Sequence, residues 1–347
     1  MSLVIDADTH VIESEATWEA MGALGFGDQR PTLLASPDGS GPPYWLFDKR
    51  VAAVRQTDAT TRTPREARVL ADVALRVNDM DKLGVDVQVI YSTFLSQPTT
   101  QNESLLAALC RSYNDWIARC CAASDGRLRW AAVLPLLNMH SSLDELKRVK
   151  DLGAVAVQIR GFEDGKMLSN PYFLPLYSTA EELDIPICVH TGNGTRELDD
   201  ALYHEDFAFG RSIFPVIASF NALAQSNISE RFPRLRFGFI EAGASWLPYV
   251  MMDLEKRIAR STGQRTDISE SFLTSHNFFV ACQVSEDLEY VVDRMGSGNL
   301  LIGSDYGHAD TSSDLEAVRT LSQDPRLSPT DRQRIVSANP QKLYGLG

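Results

Sequence analysis

The stretch Leu3-Val4-Ile5-Asp6-Ala7-Asp8-Thr9-His10 decides the fold. Its apolar, β-branched start reads as a strand, and Asp8 and His10, two residues apart, project from one side of its end. Seven more runs of this kind follow: Val87–Ser92, Leu128–Leu134, Ala154–Arg160, Ile185–His190, Leu235–Glu241, Asn277–Ala281 and Leu300–Ser304. Amphipathic segments lie between them, among them Leu105–Ala123, Ser142–Leu152, Tyr172–Leu183, Ser245–Ala259 and Asp287–Met295. Strands alternating with helices imply a parallel sheet. Eight such units in 347 residues imply an α/β fold, a (β/α)8 TIM barrel forming one domain over residues 1–347. Ser142 and Asp287 read as helix N-caps, and Gly153 as the C-cap before the fourth strand.

Two stretches break the rhythm. Residues 22–75 follow the first strand and 191–215 the fifth, and both read as long loops on the C-terminal face, where barrel sites form. Net charge is −13 with no Lys/Arg run, which argues against a nucleic-acid partner. No apolar run approaches a bilayer span, so no membrane partner is expected. Five cysteines without a CxxC pair argue against a disulfide or zinc-knot scaffold and fit a cytoplasmic location. Cys188 and Cys282 lie in apolar runs and read as core residues.

Strand ends carry the chemistry. His190 ends the fifth run, Glu241 the sixth, and Asp305 follows the eighth. Singly, each has a structural alternative: a surface histidine, or a helix cap. Together with Asp8 and His10 they put metal-ligating residue types at the ends of four strands on one face, the pattern of a divalent-metal site.

The chain resembles the amidohydrolase superfamily, in the branch of amidohydrolase family 2 related to aminocarboxymuconate-semialdehyde decarboxylase. The resemblance rests on Asp6-Ala7-Asp8-Thr9-His10, Met80-Asp81-Lys82-Leu83-Gly84-Val85 and Cys188-Val189-His190-Thr191-Gly192. Gly303-Ser304-Asp305-Tyr306 and Ala338-Asn339-Pro340-Gln341-Lys342-Leu343-Tyr344 complete it. It implies one divalent ion, Zn2+ or Mn2+, on Asp8, His10, His190 and Asp305, with Asp305 also the catalytic acid or base. Many relatives carry His where this chain has Glu241. Glu241 then serves as acid/base, orients a water or a ligand histidine, or caps the following helix.

Such a site fits two reactions: non-oxidative decarboxylation of a small, aromatic carboxylic acid, or hydrolysis of an amide, ester or lactone. A barrel without catalysis, serving as a scaffold, is the reading from another class. For a substrate carboxylate the candidates are Arg160 at the end of the fourth strand, or Arg55, Arg62 or Arg65 on the first long loop. Arg160 has an alternative in pairing with Glu163 or Asp164. His308, three after Asp305, and Trp246 are further candidates for the substrate pocket, with Trp18, Phe94 and Tyr306 as other aromatic walls. His204 on the second long loop is a remote one. The resemblance also implies a homodimer or larger homo-oligomer.

Overall fold

The computed structural model describes residues 3–36, 43–54, 61–192, 194–195, 209–263 and 270–346. Each apolar run forms a strand: β1 (Ile5–Val11), β2 (Val87–Ser92), β3 (Leu128–Val133), β4 (Ala156–Arg160), β5 (Ile187–His190), β6 (Phe237–Ile240), β7 (Phe278–Cys282) and β8 (Leu300–Ile302). They form one sheet, each strand parallel to the next in chain order. The ends meet just past β8, where Asp305 N donates to Asp8 O at 3.0 Å and His10 N to Tyr306 O at 2.7 Å. The TIM barrel expected from the sequence is thus present.

Both faces of these strands are buried, which is why they read as nearly continuous apolar runs. Ile5, Ala7, Val89, Tyr91, Cys188, Ile240, Phe279 and Leu301 form one cluster inside the barrel. The other faces pack under the helices. The helix Asn339–Tyr344 joins the inner cluster through Leu343 and Tyr344. Tyr344 Oη donates to Ala7 O at 2.7 Å, while Asn339 Nδ2 holds Ser297 O and Leu300 O, each at 2.7 Å. That helix stops the N-terminal end of the barrel and leaves the C-terminal end of the strands for the site.

Asp287 caps its helix, its side chain accepting from Tyr290 N, and Gly153 follows its helix at φ 93. Ser142 is not a cap. The helix starts at Met139, and Asn138 caps it by accepting from Ser141 N at 3.0 Å. An asparagine four residues upstream takes the role because Asn is at least as good a cap as Ser.

The first long insertion is not plain loop. Thr32–Leu34, Tyr44–Phe47 and Arg50–Ala53 form an antiparallel sheet. Its tight turn puts Asp48 (φ 42) and Lys49 (φ 61) in the left-handed region. A two-residue turn of that hand matches strand twist, but without Gly it leaves a faint trace in sequence. Strand alternation buries Trp45 and Phe47, whose rings lie 5.5 and 4.8 Å from that of Phe94. The sheet therefore roofs the barrel mouth. All five cysteines are free, and among the described residues no helix is long and apolar enough to cross a membrane.

Candidate metal centre

The strand ends deliver their side chains to one point. Asp8 and His10 come from β1, His190 is the last residue of β5, and Glu241 and Asp305 stand just after β6 and β8. Glu241 (φ 66) and Asp305 (φ 53) both lie in the left-handed region, which costs a non-glycine residue about 1–2 kcal/mol. Strain of this kind gathers at functional sites, where surrounding contacts enforce it. Around His190 Nε2 stand His10 Nε2 at 3.1 Å, Glu241 Oε2 at 3.1 Å and Asp8 Oδ1 at 3.3 Å. His10 Nε2 is 3.5 Å from Glu241 Oε2 and 3.6 Å from Asp8 Oδ1. Four donors each about 2.1 Å from a shared ion stand about 3.4 Å apart when tetrahedral. These five separations match that spacing.

The imidazole tautomers agree. His190 Nδ1 is 3.1 Å from Thr191 O, which can only accept, so Nδ1 carries the proton and Nε2 keeps a lone pair. Thr93 Oγ1 donates to Val11 O at 2.8 Å, so it accepts from His10 Nδ1 at 3.3 Å. His10 Nε2 is therefore also a lone pair. Outer partners that fix metal-ligating histidines work in this way. Two such nitrogens 3.1 Å apart require a cation or a proton between them. Burial, followed by the neighbouring His308 and His190, pushes His10 well below the ordinary imidazole range. Its close carboxylates are thus not ion-pair partners in the usual sense. Burial would depress His190 as well, but the Glu241 and Asp8 carboxylates outweigh it and lift His190 to about 9. Burial raises Asp8 and, with the Glu241 charge, raises Asp305 well above the ordinary carboxyl range. A divalent cation would reverse the three upward shifts and push His10 lower still. The donor set fits one: neutral imidazoles and carboxylates, converging in a buried pocket.

A second donor group overlaps the first, comprising His10, Glu241, Asp305 and His308. Asp305 Oδ1 lies 3.6 Å from His10 Nε2 and 2.8 Å from His308 Nδ1. The His308 ring stacks on that of His10 at 3.8 Å. Above the donors opens a cavity of about 710 Å3. His10, His190, Glu241 and His308 line its floor, Trp45, Phe47 and Phe94 one wall, and Arg50 and Arg211 also face it.

The other sequence candidates fall elsewhere. Arg160 does not line this cavity: it is bound to Glu163 at 2.5 Å and to Gln97 O at 2.7 Å. Arg62 and Arg65 are exposed and outside the cavity wall. Trp246 donates to Gly243 O at 2.7 Å and packs on Phe220, away from the cavity. Arg55 and His204 lie outside the described residues.

Supporting residues escaped the sequence reading. Arg76 is wholly buried and donates to His10 O (2.8 Å), Thr9 Oγ1 (3.0 Å) and Gln88 Oε1 (2.9 Å). The one sequence clue was its place four before Met80, on the buried face of the helix Val73–Leu83. Asp6 accepts from Ser304 N at 2.9 Å and Ser304 Oγ at 2.5 Å, tying β1 to the turn that carries Asp305. Glu13, at the cavity wall, accepts from Ser92 Oγ at 2.5 Å and Phe94 N at 2.9 Å, and burial pushes it to about 7. Glu286 accepts from Ala244, Ser245 and Gln283 N–H groups and holds the turn that follows Glu241.

Comparison with known proteins agrees with this architecture. The sequence profile of the amidohydrolase family matches residues 5–346. Gamma-resorcylate decarboxylase of Rhizobium radiobacter is 26% identical over 295 residues, covering 78% of this chain and 86% of that enzyme. The 2-amino-3-carboxymuconate-6-semialdehyde decarboxylase of Dictyostelium discoideum is 22% identical over 288 residues, 79% of this chain and 77% of that one. Among solved structures, an amidohydrolase from Mycobacterium avium subsp. paratuberculosis superposes with a TM-score of 0.80 at 16% identity, covering 99% of both chains. A dihydroxybenzoic acid decarboxylase from Polaromonas, with bound manganese and the inhibitor 2-nitroresorcinol, gives 0.67 at 19% identity, covering 100% of this chain and 98% of that one. The chain belongs to the amidohydrolase family, and is an enzyme of the lyase or hydrolase type.

Proposed function

We propose that this chain is a metal-dependent, non-oxidative decarboxylase of a small aromatic carboxylic acid, using Mn2+ or Zn2+. The observation that carries the reading is the cavity of about 710 Å3, with imidazoles and a carboxylate on its floor, aromatic rings on one wall and guanidinium groups facing it. Its volume suits a single small molecule. Asp8, His10, His190, Glu241 and Asp305 offer the donors. A divalent ion held by them would supply Lewis acidity toward the substrate carboxylate.

The chain's own residues do the rest. Arg50, steadied by Pro98 O at 2.9 Å, presents its guanidinium to the anion. Trp45, Phe47 and Phe94 face the ring and keep water from it. Decarboxylation leaves a carbanion that needs a proton. Ser312 Oγ, on the cavity lining, stands 3.1 Å from Glu241 Oε1 and 3.4 Å from Asp305 Oδ2, so both carboxylates lie beside one hydroxyl. The proton comes from this pair. Decarboxylation is favoured over hydrolysis because both curated relatives above carry decarboxylase names. A homodimer or larger homo-oligomer completes the proposal, with light scattering as its check.

The test is to incubate Mn2+-loaded protein with a panel of hydroxybenzoic acids and measure CO2. Release from at least one acid, abolished by chelation, supports the reading. Full metal loading with no CO2 from the panel, beside turnover of lactones or amides, replaces it with the hydrolase reading.

A further inference from the structure

The cavity wall holds an acid that the proposed reaction does not use. Glu13 lies two residues past the end of β1, lines the cavity and is 4% exposed. Ser92 Oγ accepts from Leu95 N at 3.0 Å and turns its own proton to Glu13 Oε1 at 2.5 Å. Phe94 N donates to Glu13 Oε2 at 2.9 Å. The carboxyl is thus pinned beside the aromatic wall that Phe94 forms with Trp45 and Phe47.

Its acceptor capacity is not filled. A carboxylate offers about four acceptor sites. Ser92 and Phe94 take one each, and Glu13's own backbone N–H makes a weaker third contact. Glu286, another acid on the same cavity, shows the filled case. Ala244 N reaches both of its oxygens, Ser245 N reaches Oε1 and Gln283 N reaches Oε2. Burial raises Glu13 to about 7, and the contacts that pull it back are led by the Ser92 and Phe94 donors. A further donor, brought by a ligand, would favour the ionised form in the same way. A ring without a donor would instead seal the open acceptor from water and give nothing in exchange.

We infer that Glu13 selects the substrate by its ring substituent, accepting a hydrogen bond from a phenolic hydroxyl or an amino group remote from the reacting carboxylate. The remoteness follows from the layout: His10, His190, Glu241 and His308 take the floor, whereas Glu13 stands past the strand end, beside the ring wall. The inference rests on the reading of this cavity as the site of a small aromatic acid.

The experiment is isothermal titration of the Mn2+-loaded full chain with benzoates substituted at position 3 or 4, where the group cannot chelate beside the carboxylate. Each hydroxy or amino compound is paired with the fluoro compound of the same position. At one position the hydroxy or amino compound should bind about 10–100-fold more tightly than its fluoro partner, the range for a hydrogen bond to a charged group. Glu13→Gln should collapse that ratio toward one, with its fold checked by circular dichroism. Glu13→Asp, which draws the carboxylate back by one methylene, serves should the glutamine variant misfold, and the same collapse is expected. A wild-type ratio near one at both positions, or a ratio kept in a folded Glu13 variant, overturns the role given to Glu13 and leaves the decarboxylase reading standing. The expected ratios with no CO2 from hydroxybenzoates uphold Glu13 and overturn that reading. No binding by any of the benzoates overturns both.

Discussion

Gly303, the residue after β8, allows β1 to pass close by. A Cβ built there would stand 2.3 Å from Asp8 Cβ and 3.0 Å from both Asp8 Cα and Asp8 N. Ordinary carbon contacts begin near about 3.5 Å, so Gly303→Ala must push β1 and β8 apart by roughly 1 Å. Asp8 is buried, and its O accepts from Asp305 N at 3.0 Å, which ties β1 to the turn after β8. Overpacking of this kind costs about 1–3 kcal/mol. The larger effect is on the site, because donor groups must be placed to within about 0.5 Å. Gly303→Ala is therefore expected to weaken Mn2+ binding by at least about 10–100-fold, the loss typical when support for a metal ligand is removed. Isothermal titration with Mn2+, beside thermal unfolding of the metal-free protein, reads both effects. Gly165→Ala is the control. Its φ of +70 carries backbone strain, but nothing lies within 4 Å of the added Cβ, so it should lose stability without losing metal affinity. A Gly303→Ala protein that binds Mn2+ and melts like the wild type would refute this reasoning.

Other outcomes follow from the same contacts. Glu13 is raised from 4.5 to about 7 by burial, so the native state favours its neutral form. Its contribution is fully present below pH about 4.5 and is lost as pH rises through about 7, a fall of about 3 kcal/mol. Urea unfolding of chelator-treated protein at pH 5 and 8 should show that fall, and Glu13→Gln should flatten it. Arg50→Gln removes the guanidinium offered to the substrate anion and should raise KM about 10–100-fold with a smaller change in kcat, read from initial rates. Arg76→Met leaves His10 O, Thr9 Oγ1 and Gln88 Oε1 without their buried donor. It should cost at least about 3 kcal/mol, measured by denaturant unfolding.

The barrel was legible because parallel strands buried on both faces must be apolar throughout, and all eight runs kept that mark. Asp8, His10, His190 and Asp305 were legible because barrel sites lie at strand ends, where polar residues interrupt the runs. Glu241 was legible at the rim by the same rule, but its approach to within 3.1 Å of His190 Nε2 was not, since that depends on the left-handed turn after β6, which no local pattern signals at a glutamate. Which arginines line the cavity was not legible. Arg160 has Glu163 three residues on and turns to it, whereas Arg50 reaches the cavity on a hairpin whose Asp48-Lys49 turn lacks the usual glycine. Arg76 escaped because a buried cation makes sense only once the backbone it serves, around His10, is seen folded beside it.

The most direct test of the chemistry assigned to this site is to run the reaction in D2O and follow the aromatic product by NMR. The Mn2+-loaded enzyme should convert its hydroxybenzoic acid to a product with one deuterium at the carbon that carried the carboxylate, and release one CO2 per ring. A product that retains the carboxyl carbon, with bond cleavage elsewhere in the substrate, would contradict the decarboxylase assignment.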